Sequence, residues 1–103
     1  MIRKPWSAIL ARAKPRVRLS PRFLKALRKV DERTRESAQR ALSNFLRDPG
    51  YPSLNFELLR GSKGVWSIRV NDNFRILLRE SEDEEGTYFV ATHLAKHDIY
   101  KRR

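Results

Sequence analysis

The 103-residue chain contains no cysteine. Neither a disulfide framework nor a thiolate metal site can be built from it, and the absence fits a reducing compartment. No apolar run is long enough for a membrane-spanning helix. Residues 1–14 are basic but lack the continuous apolar segment of a secretory signal, and no lipidation signal accompanies the charge. The expected location is the cytoplasm, with no membrane partner. Histidine is scarce, with His93 and His97 the only two. Internal repeats and low-complexity segments are also missing. The length corresponds to one domain of ordinary small size, able to bury a modest core.

Positive charge is abundant. Lys and Arg number 23 against 12 Asp and Glu, a formal net charge of +11. Residues 1–40 hold 13 basic and 3 acidic side chains, whereas residues 41–103 hold 10 and 9. A first half at +10 points to a polyanionic partner such as nucleic acid or an acidic protein.

Apolar alternation is clearest from Val65 to Arg79, VWSIRVNDNFRILLR. Trp66, Ile68 and Val70 alternate on one arm, and Phe74, Ile76 and Leu78 on the other. Asn71, Asp72 and Asn73 are turn formers that tolerate left-handed backbone. A three-residue loop pairs Val70 with Phe74, Ile68 with Ile76 and Trp66 with Leu78, giving one wholly apolar face. A two-residue loop would place arginines among these, so the first register is expected to win. It sets Arg69 opposite Arg75 on the other face. Like charges so placed cost roughly 0.2–1 kcal/mol, so that loss of Arg75 should leave stability unchanged or slightly raised. Such a face is either plainly solvated or meets an anion, for which guanidinium offers a bidentate fork.

The remaining chain reads as follows. Residues 1–14 form a basic N-terminal extension in which Trp6, Ile9 and Leu10 allow a short amphipathic turn; it is either a loose arm or the product of an unused upstream start, or else an arm that touches phosphates or packs over the core. A first short strand lies at residues 16–20. Ser20-Pro21 opens a helix with an N-cap followed by proline at the first position. Phe23, Leu24, Leu27 and Val30 make its apolar stripe. Asp31 caps a second helix, whose stripe is Ala38, Ala41, Leu42, Phe45 and Leu46, and Asp48-Pro49-Gly50 ends it. Residues 51–64 are an ordered loop anchored by Phe56, Leu58 and Leu59. The acidic run 80–86 is a solvated turn. A last strand over 87–94 puts Tyr88, Val90, Thr92 and Leu94 on one face, and Phe89, Ala91 and His93 on the other. The fold class is therefore α+β, β-α-α-β-β-β, a two-helix hairpin packed on a small twisted antiparallel sheet.

Four stretches taken together resemble the RelE/ParE superfamily of type II toxin–antitoxin toxins: VRLSPRFLKAL, LNFELLRG, VWSIRVNDNFRILL and HDIY at residues 97–100. The resemblance covers most of the chain and implies a single toxin domain over residues 15–103. RelE-like members of the superfamily are mRNA endonucleases that cut in the ribosomal A site without a metal. ParE-like members inhibit DNA gyrase. Both kinds are neutralised by an antitoxin. The resemblance thus implies a cognate antitoxin, the ribosome and mRNA as partners, and no cofactor. The leading expectation is a ribosome-dependent endonuclease. The alternatives are a gyrase inhibitor and a non-catalytic RNA-binding relative.

Metal-free RNA cleavage uses the 2′-OH as nucleophile, with a base, an acid and cations that hold the developing charge. By resemblance, Arg75 falls on the arginine that contacts the scissile phosphate, and Arg69 on a basic position of the preceding strand. His97 would act as acid or base, Asp98 would orient it, and Tyr100 would stack on a base or assist proton transfer. Arg60 and Lys63 would contact the RNA backbone, and His93 would contribute to substrate binding. The bland readings are a turn pair for His97 and Asp98, an edge tyrosine for Tyr100, and a structural histidine for His93. Adjacent carboxylates on the acidic run do not preform a metal site.

Overall fold

The computed structural model describes residues 15–96. The N-terminal extension and His97, Asp98 and Tyr100 lie outside the described residues. The elements are β1 (Val17–Leu19), α1 (Pro21–Lys29), α2 (Glu32–Arg47), a 3-10 turn (Pro52–Leu54), β2 (Glu57–Leu58), β3 (Val65–Arg69), β4 (Phe74–Asp83) and β5 (Gly86–Lys96).

Both helices start where their caps predict. The Ser20 hydroxyl accepts from the Phe23 amide and the Asp31 carboxylate from the Thr34 amide, satisfying donors that the first turn leaves open. Their buried faces are narrower than the sequence stripes. Phe23, Leu27, Ala38, Ala41 and Phe45 enter the core, but Leu24 and Leu46 stay exposed. Each lies one residue past a core phenylalanine, about 100° further round the helix.

The five strands form one sheet in the order β1-β5-β4-β3-β2. The helices cover one face, where Phe23, Phe45, Ile68, Ile76, Leu78 and Phe89 are fully buried or nearly so. The expected hairpin register is observed, with Trp66 opposite Leu78, Ile68 opposite Ile76 and Arg69 opposite Arg75.

The sheet departs from the sequence reading in four ways. First, it is mixed rather than purely antiparallel, since β1 runs parallel to β5, Val17 beside Phe89. A three-residue strand carries no directional signal, and the path of the chain through the two helices decides it. Second, the 51–64 stretch contributes a short edge strand, β2, paired to β3 at Ser67 and Trp66. Its anchors are Leu54, which is buried, and Phe56, which stacks on Trp66 with centroids 4.6 Å apart and meets Phe45 edge-on at 5.0 Å. Leu58, expected as an anchor, is exposed.

Third, the acidic run is mostly strand. β4 continues through Asp83 and turns at Glu84 and Glu85. Gly86, at φ 114°, then faces Asp83 as β5 begins, a backbone conformation that side chains rarely adopt. Distant partners engage its carboxylates. Arg16 forks onto Asp83 at 2.9 and 3.0 Å, and the Trp66 indole donates to Glu80 at 2.9 Å. Fourth, a bulge in β5 breaks its alternation. Leu78 faces Ala91 and Leu77 faces His93, leaving Thr92 as the extra residue. Leu94 therefore joins Phe89 and Ala91 on the core side, and His93 turns to the other face.

Candidate functional site

Strand register assembles the face of the sheet opposite the helices. Ile68, Ile76 and Leu94 form a core row, so the next row, Arg69, Arg75 and Ala95, points the other way. Ser67, Leu77 and His93 form a further row on that outer face. Arg79, exposed and paired with Val90, extends it toward the acidic tip.

The two facing arginines do not confront each other. Arg69 turns toward the hairpin loop, ion-pairs with Asp72 and donates from Nε to the Asn71 carbonyl at 3.4 Å. Arg75 is only 2% exposed. Its Nε donates to Ser67 Oγ at 3.1 Å and its Nη2 to the Asn55 carbonyl at 2.7 Å, with Glu57 4.0 Å away. Asn55 holds left-handed backbone, φ 46° and ψ 55°, at the end of the 3-10 turn. This conformation is tolerated by asparagine. Arg75 thus ties the 3-10 turn to the hairpin across β3. The repulsion expected from the register is replaced by separate sets of acceptors, so loss of Arg75 should cost stability rather than spare it.

His93 is exposed on β5 and is held from two sides. Its Nε2 lies 2.8 Å from Arg22 Nη1 and its Nδ1 lies 3.0 Å from Thr92 Oγ1. Arginine can only donate, so Nε2 is the acceptor and the ring is neutral with its proton on Nδ1. Partial burial and then the Arg22 charge hold its pKa below the usual value. Arg22 sits in the first turn of α1, where β1 has ended and no longer lines β5. Nothing in the local sequence marks this contact, because the β5 bulge creates it.

Arg60 and Lys63 are exposed in the β2–β3 connection. They precede β3, whereas Arg69 ends it, so the length of β3, about 13 Å, lies between them. The fold therefore brings Arg69, Arg75 and His93 together but sets Arg60 and Lys63 at the far end. Among the described residues no three potential metal-ligating side chains cluster, and no helix is long and apolar enough to cross a membrane. Ser67, Asn55 and Arg22 were not singled out by sequence. Only the placement of Ser67, opposite Leu77 and diagonal to Arg75, could have been read from the hairpin register.

A family model described as the ParE-like toxin domain matches residues 32–101. No curated protein matches the chain significantly. Several solved structures share the fold. The YoeB/ParE toxin from Agrobacterium tumefaciens superposes with a TM-score of 0.62 at 20% identity, covering 80% of this chain and 98% of that one. The RelBE2 toxin–antitoxin complex from Mycobacterium tuberculosis gives 0.61 at 23%, covering 82% and 100%. The RelB–RelE complex from Methanococcus jannaschii gives 0.57 at 16%, covering 82% and 95%. With a matching family model over more than half its length and two helices on the same sheet, the chain belongs to the ParE-like toxin domains of the RelE/ParE superfamily.

Proposed function

We propose that this toxin is a ribosome-dependent, metal-independent mRNA endonuclease held in check by a cognate antitoxin. The observation that carries the reading is the outer sheet face, where Arg69, Arg75 and His93 lie in adjacent rows. The solved RelB–RelE and RelBE2 relatives are toxin–antitoxin complexes, which supports an antitoxin partner here. In this reading the 2′-OH attacks the neighbouring phosphorus and the 5′ oxygen leaves. Arg69 meets the phosphate from the surface. Arg75 acts on the same charge as a buried cation directly opposite Arg69 in the sheet, where low dielectric strengthens its field. Arg60 and Lys63 would contact the RNA backbone further along.

His97 serves as acid or base, Asp98 orients it, and Tyr100 stacks on a base. β5, the strand that leads to them, ends at Lys96, one position beyond the Arg75–Ala95 pair. His93 has its Nε2 lone pair occupied by Arg22, so its part is contact with substrate rather than proton transfer.

The deciding experiment is cleavage of mRNA with and without programmed ribosomes, in buffer that keeps the magnesium ribosomes need. A cut in the A-site codon that requires ribosomes and is lost in Arg69→Ala and His97→Ala supports the endonuclease. A second reading, inhibition of DNA gyrase, is favoured by the ParE-like description of the family model. It predicts no cut, and toxicity in cells that persists in His97→Ala.

A further inference from the structure

A groove of about 180 Å³ opens between α2, the 3-10 turn and the β3–β4 loop. Ser37, Arg40 and Asn44 border it from α2. Their spacing of three and four residues puts them on one helix face, beside the buried Ala38–Ala41–Phe45 stripe. Ser53 of the 3-10 turn and Arg69 and Asn71 of the hairpin complete the rim. Half-buried Val70 supplies apolar surface within it, over a floor of Ala41 and Leu54 that is almost wholly buried.

The chemistry of this rim is one-sided. It includes two arginines, two asparagines and two serines, and no acidic residue. Arg69 has a partner in Asp72, but Arg40 has no acidic partner among the described residues. The Asn71 side-chain oxygen is already taken by the amides of Asn73 and Phe74, at 2.8 and 2.9 Å. What Asn71 can still offer a ligand is its NH2, a donor.

We propose that this groove binds a phosphate of single-stranded RNA, with the attached ribose or base against the apolar surface. Donors that approach from three elements suit a tetrahedral oxyanion better than a planar carboxylate. A carboxylate side chain would also leave the apolar patch uncovered. The inference rests on the toxin being directed at RNA. It names a subsite that begins at Arg69 and runs along α2, away from the outer sheet face.

The test uses the full chain, without ribosomes, and a 5′-phosphorylated uridine trinucleotide as probe. NMR should report shifts of the Asn44 and Asn71 side-chain amides on titration. Arg40→Gln should weaken binding several-fold and reduce the log–log salt slope by about 0.7, the value for one phosphate contact on a single strand. Asn71→Asp keeps the oxygen that accepts from the loop amides but replaces the NH2 donor by negative charge, and should abolish the amide shifts at Asn44. An unchanged salt slope in Arg40→Gln overturns the subsite. So does a hexaglutamate peptide that shifts the same amides while the trinucleotide does not, which would make the groove a protein-partner site. Ribosome-dependent cleavage is read separately, so its failure leaves this outcome interpretable.

Discussion

Arg75 donates to the Asn55 carbonyl and the Ser67 hydroxyl while almost fully withdrawn from water. Replacing it by alanine would strand the Asn55 carbonyl and the Ser67 hydroxyl, and hydrogen bonds to a charged donor contribute about 1.5–3 kcal/mol. Urea unfolding of Arg75→Ala should therefore show a loss of about 2 kcal/mol, and Arg75→Lys should recover only part, since ammonium lacks the planar fork. Unchanged stability would mean that the tie across β3 is energetically idle. Asp83 gives a pH-dependent counterpart. Its hydrogen bonds from Arg16 lower its pKa from 3.8 to about 2, so its contribution is complete above 3.8 and is lost as pH falls toward 2. Melting temperature measured across that window should fall less steeply in Asp83→Asn than in the parent chain. For His93 the neutral form is favoured, so the Arg22 contact is complete above about 6.5 and is lost as pH falls through the lowered value. A histidine NMR titration should find His93 below its usual pKa, and Arg22→Gln should raise it.

Elements were legible where a local rule determines them. Ser20-Pro21 and Asp31 mark the helix starts through caps that act within three residues. Alanine at either position should cost about 1 kcal/mol in a thermal or urea melt. The β3–β4 register was equally local, because a three-residue loop is the one that keeps Trp66, Ile68, Ile76 and Leu78 on a single face. The acidic run misled for a non-local reason. Its residues pair with β5 from Glu80–Phe89 to Asp83–Gly86, and the Asp83 carboxylate meets Arg16, 67 residues away, a partner that no window around Glu80 contains. The β5 bulge is similar. Simple alternation groups His93 with Phe89 and Ala91, but Thr92 is unpaired and shifts the phase by one residue. The candidate site was thus only partly readable. Arg69 opposite Arg75 follows from the turn, whereas the burial of Arg75 and the Arg22–His93 contact require the assembled sheet.

At the scale of the molecule, the +11 charge predicts affinity for RNA that is dominated by phosphate contacts. If six or more such contacts form, binding to ribosomal RNA fragments should weaken by roughly a thousandfold between 50 and 200 mM salt. Fluorescence anisotropy across that range would measure it, and a flat response would point to a protein partner as the main use of the charge. The fold class was readable from the order of elements, but the direction of β1 was not. That strand joins the earliest and latest parts of the sheet in sequence, Val17 against Phe89. Synthesis from the N-terminus therefore makes β1 and both helices well before the strand that β1 pairs with. A nascent chain cannot close its sheet until residue 91 has left the ribosome, and up to that moment the strand beneath the helices has no ladder to join. The chain thus delays its own completion, since its first strand can be paired only by β5.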